Sequence, residues 1–401
     1  MQISKLTLTE ILNLPGVDVE DYCCESKHIT LDVEVHASEA VCTRCGNLST
    51  HLHQNHFYAV RDLSLMNRAV TLNVNRRQFK CHVCEKPFSE ELYFVDKRRR
   101  FTNRFEEKVI ESLIVSDISN TAKLFEISED EVYSILTHIG NRDINPKWHE
   151  LKRLGIDEIS NRKFHKEYIV VLVDLDTGKP LAFIDSRKKE SIEKFLKGLP
   201  AGVLEGIEEV SMDMCKTYKS VVAELMPNAV VTVDRFHVMK QINDELDKSR
   251  REKKKEQDKL DKENILRGSK YLFLKNESDL NDEERQKLEE IKKQFNDLGK
   301  LQEMKEEFRN IFETQKMLSD GIFKLFDWIE KAKDLYKDSV KTVIRWFGEI
   351  VGYFENGTTN GMVEGINNKL KLIKRRGYGF RNVKRFERRC LICWHFASTT
   401  A

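Results

Sequence analysis

LGIDEISNRKFHKEYIVVLVDLDTGKPLAFIDS, residues 154–186, holds three short runs of apolar residues broken by turn-forming Asp, Gly and Asn. LGIDEIS (154–160), YIVVLVDLD (168–176) and PLAFIDS (180–186) read as three successive strands. The period then lengthens to three and four residues in KKESIEKFLKGL (188–199), a helix. A strand at EEVSMDM (208–214), a helix at KSVVAELM (219–226) and a strand at AVVTVD (229–234) complete a β-β-β-α-β-α-β order. Strands alternating with helices predict an α/β domain built on one sheet.

Working toward the C-terminus, strand patterns vanish from Arg235 to about Phe354. KSRREKKKEQDKLDKEN (248–264) and NDEERQKLEEIKKQFNDLGKLQEMKEEF (281–308) are strong helix formers of mixed charge, which predicts a long all-helical insertion over 243–354. The break Thr358-Thr359-Asn360-Gly361 precedes one more helix, MVEGINNKLKLIKR (362–375), and the α/β domain is expected over 149–242 and 355–401. Toward the N-terminus the pattern alternates as in a half-buried sheet, with HITLDVEV (28–35) and AVTLNVNRRQFKC (69–81) marking a small β module over 1–96. After Lys97-Arg98-Arg99-Arg100 the period is helical again, giving a helical domain over 97–148. The fold class is therefore multidomain α+β.

A chain of 401 residues exceeds what one hydrophobic core usually supports. Its 40% hydrophobic and 33% charged content, with only 6 prolines, excludes a disordered protein. No stretch approaches the ~20 apolar residues of a membrane span, and the N-terminus lacks an apolar signal core, so a cytoplasmic protein with no membrane partner is expected. The net charge is only +2, so a nucleic-acid footprint has to come from clustering. It does: ten Lys or Arg fall between Lys369 and Arg389 against the single acid Glu387.

Nine cysteines are too few for a disulfide scaffold, and four of them form Cys42-x2-Cys45 and Cys81-x2-Cys84. Two such knuckles facing each other across a sheet give a closed tetrahedral set of four thiolates, the signature of structural Zn2+ in a zinc-ribbon-like module. The strands between the pairs fill the gap as a hairpin.

In ISNTAKLFEISEDEVYSIL (118–136) a helix ends at the turn Glu126-Ile127-Ser128, and a second starts at Glu129 with Ser128 as its cap. Ala122, Leu124, Ile127, Val132 and Ile135 have the spacing of a helix-turn-helix core, which leaves Asp130, Tyr133 and Ser134 outward. Lys97, Arg98, Arg99 and Arg100 stand where they would contact DNA phosphates while the second helix, with Tyr133, enters the major groove.

Two-metal phosphodiester chemistry needs carboxylates converging on ions ~4 Å apart. Asp157 lies within the first apolar strand and Asp213 ends the fourth, where parallel neighbours would set the two side by side. A buried carboxylate is costly unless it is paired or metal-bound. Glu364 would be the third ligand if its helix packs on the sheet. Asn367, Asn368, Lys369, Lys374, Arg375, Arg376 and Arg381 follow it as a DNA-contacting segment, with Tyr378 and Phe380 interleaved for base stacking.

These blocks resemble a known family, the ISL-three type of bacterial insertion-sequence transposases. The resemblance rests on the CxxC pairs, GIDE around Asp157, MDMCKTY around Asp213, VDRFHVMK from Val233 to Lys240, and VEGINNKLKLIKRRGYGFRN from Val363 to Asn382. It implies a DDE catalytic domain of ribonuclease-H-like fold with Asp157, Asp213 and Glu364 as the triad and Mg2+ or Mn2+ as the ion. Asp234, Arg235 and His237 share a family-like block and are expected to support the triad. The implied function is binding of double-stranded DNA at terminal inverted repeats, cleavage there, and strand transfer into target DNA by a homodimer assembled on DNA, in a bacterial, nucleoid-associated setting. Two alternatives keep part of the pattern: a non-catalytic zinc and helix-turn-helix regulator, or a metal-dependent repair nuclease.

Overall fold

The protein is described here from a computed structural model, which covers residues 4–162, 167–260, 264–314, 317–356, 361–377, 379–380 and 382–396. The chain forms two compact units, Met1–Ile144 with Phe396–Ala401, and Asn145–His395.

In the first unit, helix α1 (Lys5–Leu12) precedes strands β1 (Val17–Cys24) and β2 (His28–Val35). These pair with β6 (Phe57–Leu65) and β7 (Arg68–Asn75) in the order β1-β2-β7-β6. Alternate residues Ile29, Leu31 and Val33 of β2 and Val70, Leu72 and Val74 of β7 are buried, as the period-two pattern requires. Met66 and Asn67 both have positive φ (47° and 60°), so β6 and β7 are joined by a two-residue turn whose twist matches the strands. That hairpin is the segment expected between the cysteine pairs. It belongs to a different sheet from β3 (Ala40–Val41) with β4 (Leu48–Ser49), and from β5 (Leu52–Gln54), β8 (Gln78–Lys80) and β9 (Pro87–Ser89), on which the cysteines sit.

Helices α2 (Asn103–Val115), α3 (Ile118–Phe125) and α4 (Glu129–Asp143) complete the unit. Glu126 closes α3 with φ +53°, and Ser128 opens α4 with a reciprocal capping box to Glu131, so the turn sits where its residues demand. Val132 and Ile135 are fully buried and Ala122 nearly so, but Leu124, expected in this core, is 69% exposed. Phe125, one position on, packs edge-on against Phe105 in its place. An eight-residue helix presents a narrow buried stripe, and Thr121, Ala122 and Phe125 fill it.

In the second unit, β10 (Arg153–Arg162), β11 (Glu167–Asp174), β12 (Lys179–Ile184), β13 (Glu209–Met212) and β14 (Val230–Val233) form one sheet in the order β12-β11-β10-β13-β14. β10 to β12 are antiparallel, whereas β13 and β14 run parallel to β10. Helices α5 (Lys189–Lys197) and α6 (Lys216–Leu225) make the crossovers. The β-β-β-α-β-α-β order read from the sequence is the order observed.

The helical segment is α7 (Arg235–Leu260), α8 (Lys270–Leu274), α9 (Asp282–Gln294), α10 (Asn296–Thr314), α11 (Leu318–Ala332), α12 (Lys337–Arg345) and α13 (Phe347–Asn356). The chain enters it on α7, which follows directly on the end of β14. Its core is continuous with that of the sheet, from Val170 and Val210 through Val238 and Ile242 to Phe308, Trp328 and Trp346. Gly352 lets α13 pack directly on β14, because a Cβ there would lie 2.8 Å from the Val231 carbonyl. Helices α14 (Gly361–Arg376) and α15 (Val383–His395) follow, and α15 packs Phe386 edge-on against Phe183 of β12. Trp394, like Trp328 and Trp346, is buried. No helix among the described residues is long and apolar enough to cross a membrane.

Candidate active site and zinc centre

Register explains how the acids meet. Ile156 of β10 lies opposite Met212 of β13, and Met212 lies opposite Val233 of β14. Asp157, Asp213 and Asp234 each follow one member of that row, so three parallel strands deliver three carboxylates at the same level of the sheet, just beyond the last residues of β13 and β14.

Each carboxylate is held by its own partners. One oxygen of Asp157 accepts from the Glu158 backbone N–H at 2.6 Å, and the other accepts from the side-chain amide of Asn367 on α14. Asp213 takes the Nε2 of His237 at 2.7 Å, and the same nitrogen lies 3.7 Å from Asp234. Asp234 also caps α7 by accepting from the Phe236 N–H at 2.9 Å. Burial, and then the negative charge of Asp213, push the Asp157 carboxyl up to about 6. Burial works against a charged His237, but the hydrogen bond and charge of Asp213, with Asp234 and Asp157 behind it, hold its pKa above the ordinary value. The imidazolium thus sits where positive charge is demanded.

These groups open on a cleft of about 720 Å3. It is lined by Asp157, Glu158, Asp213, Asp234 and His237, and Val363, Asn367 and Lys371 of α14 line it too. The helical segment adds Asn243, Asn276, Arg309 and Glu313 to the same lining. No pattern in the sequence marks these four as neighbours of Asp157. Lys371 had a signal, since it lies four residues after Asn367 and shares its helix face. Glu158 was also missed; it accepts from the buried Tyr218 hydroxyl at 3.2 Å.

Glu364 lies on α14, three residues before Asn367; its side chain is outside the described residues, as are Tyr378 and Arg381. Among the basic residues expected at DNA, Lys97, Arg98, Arg100, Arg375 and Arg376 are exposed, as is Asn368, and Tyr133 is half-buried. Others are turned to internal work. Arg99 pairs with the fully buried Glu106 at 2.6 Å and donates to Ser134 at 2.9 Å. Lys369 donates to the Cys393 carbonyl and lies 4.1 Å over the Trp394 ring. Lys374 donates to the Ser160 carbonyl at 2.6 Å. Arg235 reaches Glu313 at 3.7 Å.

The cysteines come together in the first unit. Backbone hydrogen bonds from Cys42 to Asn47 and from Gly46 to Cys42 form one knuckle, with Gly46 at φ +73°, and Cys81 bonds Lys86 in the other. Sulfur separations are 3.7 Å for Cys42–Cys84 and 3.5 Å for Cys45–Cys81, and all four sulfurs lie within 4.8 Å of one another. Zinc–sulfur bonds of about 2.3 Å in a tetrahedron place sulfurs roughly 3.8 Å apart, so this set fits a structural zinc. The Asn47 side-chain amide, 3.4 Å from the Cys45 sulfur, helps lower that thiol to about 6, toward the thiolate a metal needs. His51, His53, His56 and His82 are exposed and outside the cluster.

Comparison with known proteins gives the same three parts in the same order. Residues 38–84 match the zinc-finger of transposase IS204/IS1001/IS1096/IS1165, residues 90–140 match the helix-turn-helix domain of transposase family ISL3, and residues 154–390 match the ISL3 DDE family described as Transposase. The chain is similar to the transposase for insertion sequence element IS1001 of Bordetella parapertussis, 26% identical over 371 residues and 87% of each chain. It is also similar to the transposase for IS1557 of Mycobacterium tuberculosis, 26% identical over 258 residues, 58% of this chain and 57% of the relative. A zinc finger, a helix-turn-helix and an acid-lined cleft on one chain define a class, the DNA-binding transposases. Within that class the chain belongs to the ISL3 family, whose model covers more than half of it.

Proposed function

We propose that Asp157, Asp213 and Glu364 form the catalytic triad of this transposase and hold Mg2+ or Mn2+. The observation that carries the reading is the parallel register that sets Asp157 beside Asp213 in a cleft, with the Asp157 carboxyl raised by burial and by its neighbour's charge. Crowded carboxylates of this kind are a donor set suited to a hard cation, which would relieve their repulsion. Glu364 sits within a turn of Asn367, whose amide already touches Asp157. Divalent ions bound there would activate the attacking oxygen and stabilise the leaving one.

The chain's own residues then have defined tasks. Asn367 fixes one oxygen of Asp157 and leaves the carboxylate oriented into the cleft. His237 holds Asp213 and takes up part of the negative charge while the acids are without a cation, and Asp234 positions His237 and caps α7. No covalent protein intermediate is required. The strand order β12-β11-β10-β13-β14, three antiparallel strands followed by two parallel ones, supports the ribonuclease-H-like fold that the family resemblance implies.

In this reading the first unit finds the terminal inverted repeats. The second helix of the helix-turn-helix enters the major groove, and Lys97, Arg98 and Arg100 meet phosphates. Because an element has two ends to be joined, the working form is a homodimer on DNA, in the bacterial cytoplasm at the nucleoid. A duplex carrying the element's own terminal repeat, incubated with Mg2+ or Mn2+, tests the proposal. The wild type is expected to nick at the repeat boundary, and Asp213→Asn to bind without cutting. Binding by both with cutting by neither would favour a regulator, and cutting without preference for the repeat would favour a repair nuclease.

A further inference from the structure

Helix α10, which carries none of the proposed triad, also lines the cleft. Arg309 of α10 lies there with its side chain only 12% exposed, close to Glu306 at 3.3 Å and Glu313 at 3.7 Å. Its Nε is buried without a hydrogen-bond partner, and so is the Oδ1 of Asn243 in the same cleft. Arg235, the first residue of α7, approaches the other oxygen of Glu313 at 3.7 Å. One carboxylate therefore lies between two guanidiniums, at a separation too long for a good hydrogen bond to either. A buried arginine with an unused donor, sharing a loosely held anion with a second arginine, is arranged for an anion with more oxygens to offer. Phosphate is such an anion, and guanidinium forks suit its geometry.

We infer that Arg309 and Arg235, which line the same cleft as Asp157 and Asp213, form a phosphate-binding site for the backbone of the DNA strand entering it, and that Glu313 occupies the phosphate's place in the free protein. The inference rests on the proposed cleavage site. A strand lying against the acids needs positive charge beside its phosphates, and Arg235 and Arg309 supply it. Glu313 bridges the two arginines until DNA displaces it, and Glu306 shares in balancing the charge of Arg309. Arg235 and Arg309 are positioning residues here, acting on the strand rather than on the reacting atoms.

The test uses the full-length protein and the terminal-repeat duplex, reading binding, cleavage and Mn2+ affinity separately. Arg309→Ala should raise the KM for DNA more than it lowers kcat. It should also flatten the dependence of log Kd on log salt by up to about 0.9, one phosphate contact. Arg309→Lys, which keeps the charge, should restore most of that slope. Glu313→Gln should lower Kd by about threefold or more at low salt by removing the competing anion. Mn2+ affinity should stay at the wild-type level in all three, whereas Asp213→Asn should lose it. Unchanged salt slope in Arg309→Ala together with unchanged or weaker DNA binding in Glu313→Gln would overturn the inference. That result with Asp213→Asn still inactive would leave the triad standing. An Asp213→Asn that cleaves would remove the triad itself.

Discussion

Two clusters in this molecule, one of cysteines and one of carboxylates, are assembled by different means. Cys42 with Cys45, and Cys81 with Cys84, are each set by a tight knuckle fixed by backbone hydrogen bonds within five residues of chain, and the two knuckles then meet sulfur to sulfur. Asp157 and Asp213 are 56 positions apart, and they meet only because β10 and β13 lie side by side in one register. A knuckle supplies its own geometry, so its site is closed and structural. Neighbouring strand ends supply carboxylates to whatever lies above them, and the cleft stays open to a substrate. Local chain geometry thus makes a staple, while tertiary geometry makes a place for chemistry.

If that contrast is right, the largest effect belongs to the staple. Cys81→Ser should cost the first unit most of a structural zinc's contribution, on the order of 10 kcal/mol as measured in isolated fingers, and with it sequence-specific DNA binding. Loss of zinc by elemental analysis together with a melting transition for the first unit alone would bear this out. An intact, zinc-free first unit would break the comparison.

The open site should behave in the reverse way, with its ligands destabilising the metal-free protein. Asp157 titrates at about 6 in the fold, against about 3.9 for an unfolded aspartate. Its ionised form therefore costs stability above pH 6, and the cost fades as pH falls toward 3.9. Asp157→Asn should raise metal-free stability at pH 7.5 by roughly 2 kcal/mol and change nothing below pH 4. Calorimetric melts at the two pH values would show it.

His237 should show the opposite sign. Its raised pKa means that its pairing with Asp213 stabilises the fold below about 6.5 and is lost as pH rises through the folded value. His237→Gln should cost about 1.5 kcal/mol at pH 5.5 and much less at pH 9. An equal loss at both would mean that the imidazole is merely packed. The smallest expected effect lies back in the first unit, where Ser128→Ala removes one side of a capping box and should cost about 1 kcal/mol, with Leu124→Ser, at an exposed position, near zero.

The same contrast governs what could be read from the sequence. The cysteine knuckles, the Ser128 cap and the strand order were legible because each depends on residues a few positions apart. The pairing of Asp157 with Asp213 was legible one step further, through strands short enough for their ends to be matched. The contribution of α10 to the cleft was not. Arg309 and Glu313 reach it through the packing of a long helix whose charged face looks like those of the other helices in sequence, and nothing local distinguishes Arg309 from its exposed neighbours. Arg99, Lys369 and Lys374 teach the converse, since a basic run reads as a DNA surface although Arg99 is spent on Glu106 and the two lysines on carbonyls of their own unit. Only the buried partner, invisible in the run itself, tells them apart.

The most direct test of the carboxylate site is Mn2+ binding without DNA, measured on wild type, Asp157→Asn, Asp213→Asn and Glu364→Gln after zinc is accounted for. Wild-type binding is expected to weaken as pH falls below about 6, where protons compete for Asp157, and to drop by at least tenfold in each variant. Mn2+ affinity that is indifferent to these three residues and to pH would contradict it.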